Sequence, residues 1–249
     1  MNHLKSAAEI KTMTEAGRRL KQVVTQLKPY IKEKISTKEI DSIADSLIRK
    51  LGCETSFKKV KGYRWATCLS INEQVVHTPP SDRVLKKGDV FTIDIGVCYR
   101  GFHSDFSDTF VIGDTPTPKQ KEFLRVGKTT LMKAINQCKE NNYIGDISAT
   151  IEQEIYGHGY FVIKQLTGHG IGRRLHEDPY VFGYLDCPVE KTPLIKKGLV
   201  VAIEVIYSLG SEEVVSENGG WSLVTKDGSL AACFEHTVAV TGKNTLILT

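Results

Sequence analysis

The chain has 249 residues, enough to bury a substantial core as one large domain or two small ones, and its charged and apolar fractions (25% and 41%) are ordinary for a soluble protein. A net charge of +4, with lysines and arginines interleaved among acids, gives no argument for direct nucleic-acid binding. Six widely separated cysteines without a C-x-x-C pair exclude a disulfide framework, and neither a signal core in "MNHLKSAAEIKTM" nor an apolar run of ~18 residues is present, so no membrane contact and a cytoplasmic location are expected.

Apolar positions at helical spacing predict a helix over about residues 7–30. A second follows in "STKEIDSIADSLIRKLGC", where a Ser/Thr cap precedes Ile40, Ile43, Leu47 and Leu51, and Gly52 ends the run. "LKKGDVFTIDIG" then reads as a turn and a buried strand carrying one acid, Asp94. Taken alone, Asp94 is a hydrogen-bonded core residue. Asp105 lies across the next turn in "FHSDFSDTFVIG".

The pattern then recurs. Helical spacing returns in "TPKQKEFLRVGKTTLMKAINQCKE" and "GDISATIEQEIYGHGY", and Ile40, Ala44, Ile48 and Gly52 align without gaps on Ile147, Ile151, Ile155 and Gly159. "IKKGLVVAIEVI" repeats the turn and strand, with Glu204 in place of Asp94, and "ACFEHTVAVTG" opens another strand with Glu235. Two related halves, each bringing an acid on such a strand, are expected to meet at one centre, and four acids on four strands in two matched pairs are hard to explain as coincidence. Between them, "LTGHGIGRRLHEDP" offers His169 and His176, in neither H-E-x-x-H nor phosphate-loop spacing. A lone histidine is usually structural, but beside four buried carboxylates one imidazole completes an oxygen and nitrogen set suited to divalent cations.

"SINEQVVH", "TIDIGVCYRGFHSDFSDTF", "GHGIGRRLHEDP", "VAIEV" and "SLAACFEHT", in this order, resemble the type I methionine aminopeptidases over essentially the whole chain. The resemblance implies a single catalytic domain, 1–249, with the pita-bread α/β (α+β) fold, a pseudo-two-fold antiparallel sheet flanked by helices. It implies removal of the initiator methionine from nascent polypeptides by a hydroxide held between two divalent ions (Co, Mn, Fe, Ni or Zn). By position it makes Asp94, Asp105, His169, Glu204 and Glu235 the metal ligands. Glu204 is then also the general base, His176 the donor to the scissile carbonyl and His77 the contact to the leaving amide. Tyr63, Cys68, Leu175 and Trp221 would line the methionine slot. A monomer is expected.

Several positions depart from the family pattern. Val205 stands where Pro is common, Leu175 for Phe, Thr78 for Gly, Val60 for an aromatic residue and Phe57 for Cys. These substitutions are expected to touch the substrate pocket more than the metal ligands. Two other readings share the fold. A prolidase or X-Pro aminopeptidase carries a further N-terminal domain for which this chain has no space, and a non-catalytic interaction module would have lost several of the acids.

Overall fold

Local capping starts the helices where the sequence predicts them. The structure, a computed structural model, describes residues 4–113, 115–242 and 244–249. Ser6, Ser36 and Thr117 each cap a helix and exchange hydrogen bonds with Glu9, Glu39 and Gln120 three residues on, opening α1 (Ala7–Leu27), α2 (Thr37–Lys50) and α3 (Pro118–Gln137). The fourth helix, α4 (Ile144–Gly157), is 14 residues long, as α2 is. Gly52 and Gly159 follow these two helices with φ of 68° and 75°, the left-handed conformation that lets the chain turn away.

Thirteen strands follow in chain order among the described residues. They are β1 (Glu54–Thr55), β2 (Thr67–Ile71), β3 (Gln74–Val76), β4 (Val90–Tyr99), β5 (Phe102–Val111), β6 (Phe161–Val162) and β7 (Thr167–Gly170). Then come β8 (Glu177–Phe182), β9 (Val200–Ser208), β10 (Val214–Ser216), β11 (Leu223–Thr225), β12 (Ala231–Val240) and β13 (Thr245–Ile247). The main sheet runs β1-β4-β5-β12-β9-β7-β8, with β2 on β4, β6 on β9 and β13 on β12. Every pairing is antiparallel, and β10-β11-β3 form a small separate sheet.

Strand alternation decides what each face carries. Phe91, Ile93, Ile95 and Val97 of β4 pack with Leu20, Val23, Ile40 and Ile48 of α1 and α2. In the second half Val201, Ile203, Val205 and Tyr207 of β9 and Phe234 of β12 pack with Phe123, Ile147, Ile151 and Ile155 of α3 and α4. Helices therefore cover one face of the central strands, and Asp94, Glu204 and Glu235, out of phase with these apolar sets, point to the other. The halves agree in detail: the N-cap residues Ser36 and Tyr143 each form an isolated bridge, to Val84 and Leu194, just before the two Lys-Lys-Gly turns. The predicted pseudo-two-fold, helix-flanked antiparallel sheet is the one the chain adopts.

Candidate active site

Sheet register assembles the acids. Cys68 lies opposite Asp94, Asp94 opposite Ser107, Ser107 opposite Glu235, and Glu235 opposite Glu204, a row across β2, β4, β5, β12 and β9. Asp105 is two residues from Ser107 on the same face, opposite Gly96. That glycine is required by space. A Cβ there would sit 3.1 Å from Asp105 Oδ1 and 2.8 Å from the Ser56 Cβ. Arg100 and Gly101 make the hairpin turn between β4 and β5 at φ 50° and 76°, the geometry of a tight two-residue loop, and so set this register.

His169 comes from β7, where it pairs with Ala202, two residues before Glu204 on β9. Its Nδ1 lies 2.9 Å from the carbonyl oxygen of Gly170, so Nδ1 carries the hydrogen and donates, and Nε2 is left with a free lone pair 3.5 Å from Glu204 Oε1. Burial and the neighbouring His176 pull the His169 pKa down to about 3, so the ring is neutral. The His169 and His176 rings meet edge to face at 4.5 Å. Burial also lowers the pKa of His176, and burial with His176 lowers that of His77. His77 is held at φ 59°, a left-handed backbone that a residue with a side chain seldom takes.

All of these groups line one cavity of ≈140 Å³: the four acids and the three histidines, with Tyr63, Cys68, Leu175, Trp221, Phe57 and Val60 forming the apolar wall. A second cavity of ≈200 Å³ shares His77, Asp94, His169, His176 and Glu204 and continues past Thr167, Gln165 and Tyr180. The histidines and acids thus stand where an apolar slot meets an open continuation. Tyr63 is the hub of the wall, edge-on to Phe57, Trp65 and Trp221 at 6.3, 5.2 and 5.4 Å, and its hydroxyl donates to the Thr67 carbonyl at 2.8 Å.

The departures fall unevenly on this geometry. Phe57 is buried in the wall, in one apolar cluster with Val60 and Leu175. Val205 is different. It lies on the helix side of β9, fully buried, because strand alternation turns it away from Glu204, so the expectation that it touches the substrate pocket is corrected. Thr78 also stands outside the cavity wall.

The donor set fits divalent metal. Asp105, His169 and Glu235 each offer a ligand atom within 4.8 Å of the others. Glu235 Oε1 is buried without a hydrogen-bond partner, and among the described residues no lysine or arginine lines the cavity to balance its four carboxyls. Burial lifts the Asp105 pKa to about 7, and burial with carboxylate neighbours lifts those of Asp94, Glu204 and Glu235 well above the ordinary range. In metal-free protein Asp105 holds a proton that the unfolded chain releases, so its stabilising contribution is complete below 3.8 and is lost as pH climbs through about 7. Chelator-stripped protein should therefore melt at a falling temperature over this range, and added divalent ion should flatten the profile. A rising metal-free profile would contradict the cluster of buried acids.

Supporting residues escape a sequence reading. Thr237 Oγ1 accepts from the Asp105 N–H and donates to the Asp105 carbonyl, both at 2.9 Å; only its place two residues after Glu235, on the same face, hints at this. Lys5 Nζ donates to Glu177 Oε2 at 2.6 Å with both side chains buried, while Glu177 Oε1 accepts from Arg174 N at 2.9 Å. Gly172 leaves room for the lysine, since a Cβ there would lie 2.5 Å from its Cε. The loop bearing Leu175 and His176 is thereby pinned to the chain's N-terminal segment.

Residues 11–242 match metallopeptidase family M24. The chain is 39% identical over 245 residues to methionine aminopeptidase 1 of Bacillus subtilis, covering 98% of each chain. The crystal structure of a Thermotoga maritima methionine aminopeptidase superposes with a TM-score of 0.95 at 35% identity, over 100% of this chain and 99% of that one.

The chain belongs to the methionine aminopeptidases of metallopeptidase family M24.

Its fold is the pita-bread fold of that family. A prolidase from Pyrococcus furiosus shares the fold at a TM-score of 0.80 and 22% identity, but this chain covers only 65% of it, and the comparisons favour the methionine aminopeptidases over the prolidases. No helix among the described residues is long and apolar enough to cross a membrane.

Proposed function

We propose that this metallopeptidase is one catalytic domain, residues 1–249, that removes the initiator methionine from nascent polypeptides in the cytoplasm, acting as a monomer. The observation that carries the reading is the convergence of four acids and three imidazoles where an apolar slot meets a second cavity. Asp94, Asp105, His169, Glu204 and Glu235 would hold two divalent ions, of the class Co, Mn, Fe, Ni or Zn. Those ions supply Lewis acidity, which polarises a carbonyl and acidifies water.

The chain's own residues divide the remaining work. Tyr63, Cys68, Leu175 and Trp221 enclose the methionine side chain and exclude water from it. Glu204 takes a proton from the attacking water and delivers it to the leaving amine. His176, a neutral donor, hydrogen-bonds the scissile carbonyl oxygen as negative charge develops, and His77 holds the amide on the leaving side. His169 keeps its Nε2 lone pair directed into the centre because Nδ1 is committed to Gly170.

The deciding assay is release of free methionine from Met-Ala-Ser and Met-Pro peptides by purified protein, with and without divalent metal. Metal-dependent release is expected. Its absence would favour a non-catalytic interaction module.

The slot wall has its own expected result. Phe57 supplies the ring that Val60 and Leu175 lack, so cleavage should favour methionine, with detectable cleavage after leucine. Phe57→Ala should narrow the Met-to-Leu ratio in kcat/KM roughly tenfold, within the ~1–3 kcal/mol that one apolar contact contributes to discrimination. Leu175→Phe should widen it. An unchanged ratio in both variants would place recognition elsewhere.

A further inference from the structure

The arm that carries Trp221 is fastened to the strand that carries His77 by buried hydroxyls. β3 runs directly into His77 and Thr78, and β11, which follows Trp221 and Ser222, pairs with β3 through Leu223 and Val76. Ser70 of β2 donates to Thr78 Oγ1 at 3.1 Å, and Thr78 Oγ1 lies 3.0 Å from Ser222 Oγ. All three residues are buried. A second tie runs along the same arm: Gln74 Nε2 donates to Glu217 at 2.8 Å, and the Glu217 N–H donates to the Ser222 carbonyl at 2.8 Å.

Trp221 directly precedes Ser222, the end of these ties. It is 41% exposed, so its own burial does not fix it, yet its ring stands perpendicular to Tyr63 and 3.5 Å from where a Cβ on Gly62 would lie. None of Ser70, Thr78 and Ser222 lines either cavity, so their hydroxyls do not reach substrate.

Resting on the aminopeptidase reading above, we propose that Thr78 and Ser222 form a clasp that holds Trp221 as the outer wall of the methionine slot, which makes Thr78 a positioning residue for recognition of the first side chain. Removing one hydroxyl leaves the other buried without its partner and frees the arm to shift.

The test uses metal-loaded protein and Met-Ala-Ser, with Thr78→Val, which keeps shape and removes the hydroxyl, and Thr78→Ser, which restores it. The same substitutions in a Trp65→Phe background make Trp221 the sole tryptophan, so acrylamide quenching reports its exposure. Thr78→Val should raise KM about three- to tenfold with kcat within about twofold, and should increase quenching. Thr78→Ser should restore both. Unchanged KM, unchanged quenching, a change confined to kcat, or failure of Thr78→Ser to restore would each overturn the clasp. If the unaltered protein releases no methionine, the aminopeptidase reading fails, and quenching alone then decides whether Thr78 holds Trp221.

Discussion

Asp105→Ala is expected to abolish methionine release and to lower bound metal. The carboxylate lies on the same face as Asp94 and Glu235, two residues from the Ser107 that both of them oppose, and offers one of three ligand atoms within 4.8 Å of each other. Without it the remaining acids lose the cation that offsets their mutual repulsion, so the melting temperature in the presence of divalent ion should fall. In metal-free protein the sign reverses. One buried carboxyl has been removed from a site that has no countercharge, so Asp105→Ala should there melt higher than the parent above about pH 7. Asp94→Ala, His169→Ala, Glu204→Ala and Glu235→Ala should likewise abolish turnover. Elemental analysis alongside the methionine assay checks each variant. Full metal content with unaltered turnover would remove that residue from the proposed centre.

His176→Ala is expected to lower kcat by ~10²-fold or more while fold and bound metal are retained. Its imidazole lines both cavities and meets His169 edge to face, so it stands beside the acids at the junction where the scissile bond would lie. A donor that acts on developing charge contributes mainly in the transition state, and the loss should appear in kcat more than in KM. His77→Ala should behave similarly. A change confined to KM would mean that these histidines hold bound peptide and take no part in the chemistry.

Much of this site is legible in the sequence, for a local reason. An acid out of phase with an apolar strand is visible in "FTIDIG" and "VAIEVI" without any tertiary information, and the repetition of helix pair, turn and strand tells which acids correspond. What stays hidden is long-range. Lys5 and Glu177 are 172 residues apart, and nothing in either neighbourhood reports their pairing. Thr78, visible only as an odd residue after His77, finds its partner Ser222 at a separation of 144 residues. Val205 shows the opposite limit. It is adjacent to Glu204 in sequence, yet the pleat of β9 turns it into the helix-side core.

The internal symmetry has a consequence for how the protein is held together. Asp94 and Asp105 come from the first repeat, while His169, Glu204 and Glu235 come from the second, and the β5–β12 pairing is the seam between them. Along that seam the register joins only Glu235 to Ser107 and His236 to Phe106, whereas β9 and β12 pair over nine residues and β4 and β5 over ten. The two repeats are thus joined by a short stretch of backbone pairing beside the carboxylates that each contributes. An ion bound there would act as a rivet as well as a reagent, because the three ligand atoms that lie together come from both repeats, Asp105 from the first and His169 and Glu235 from the second.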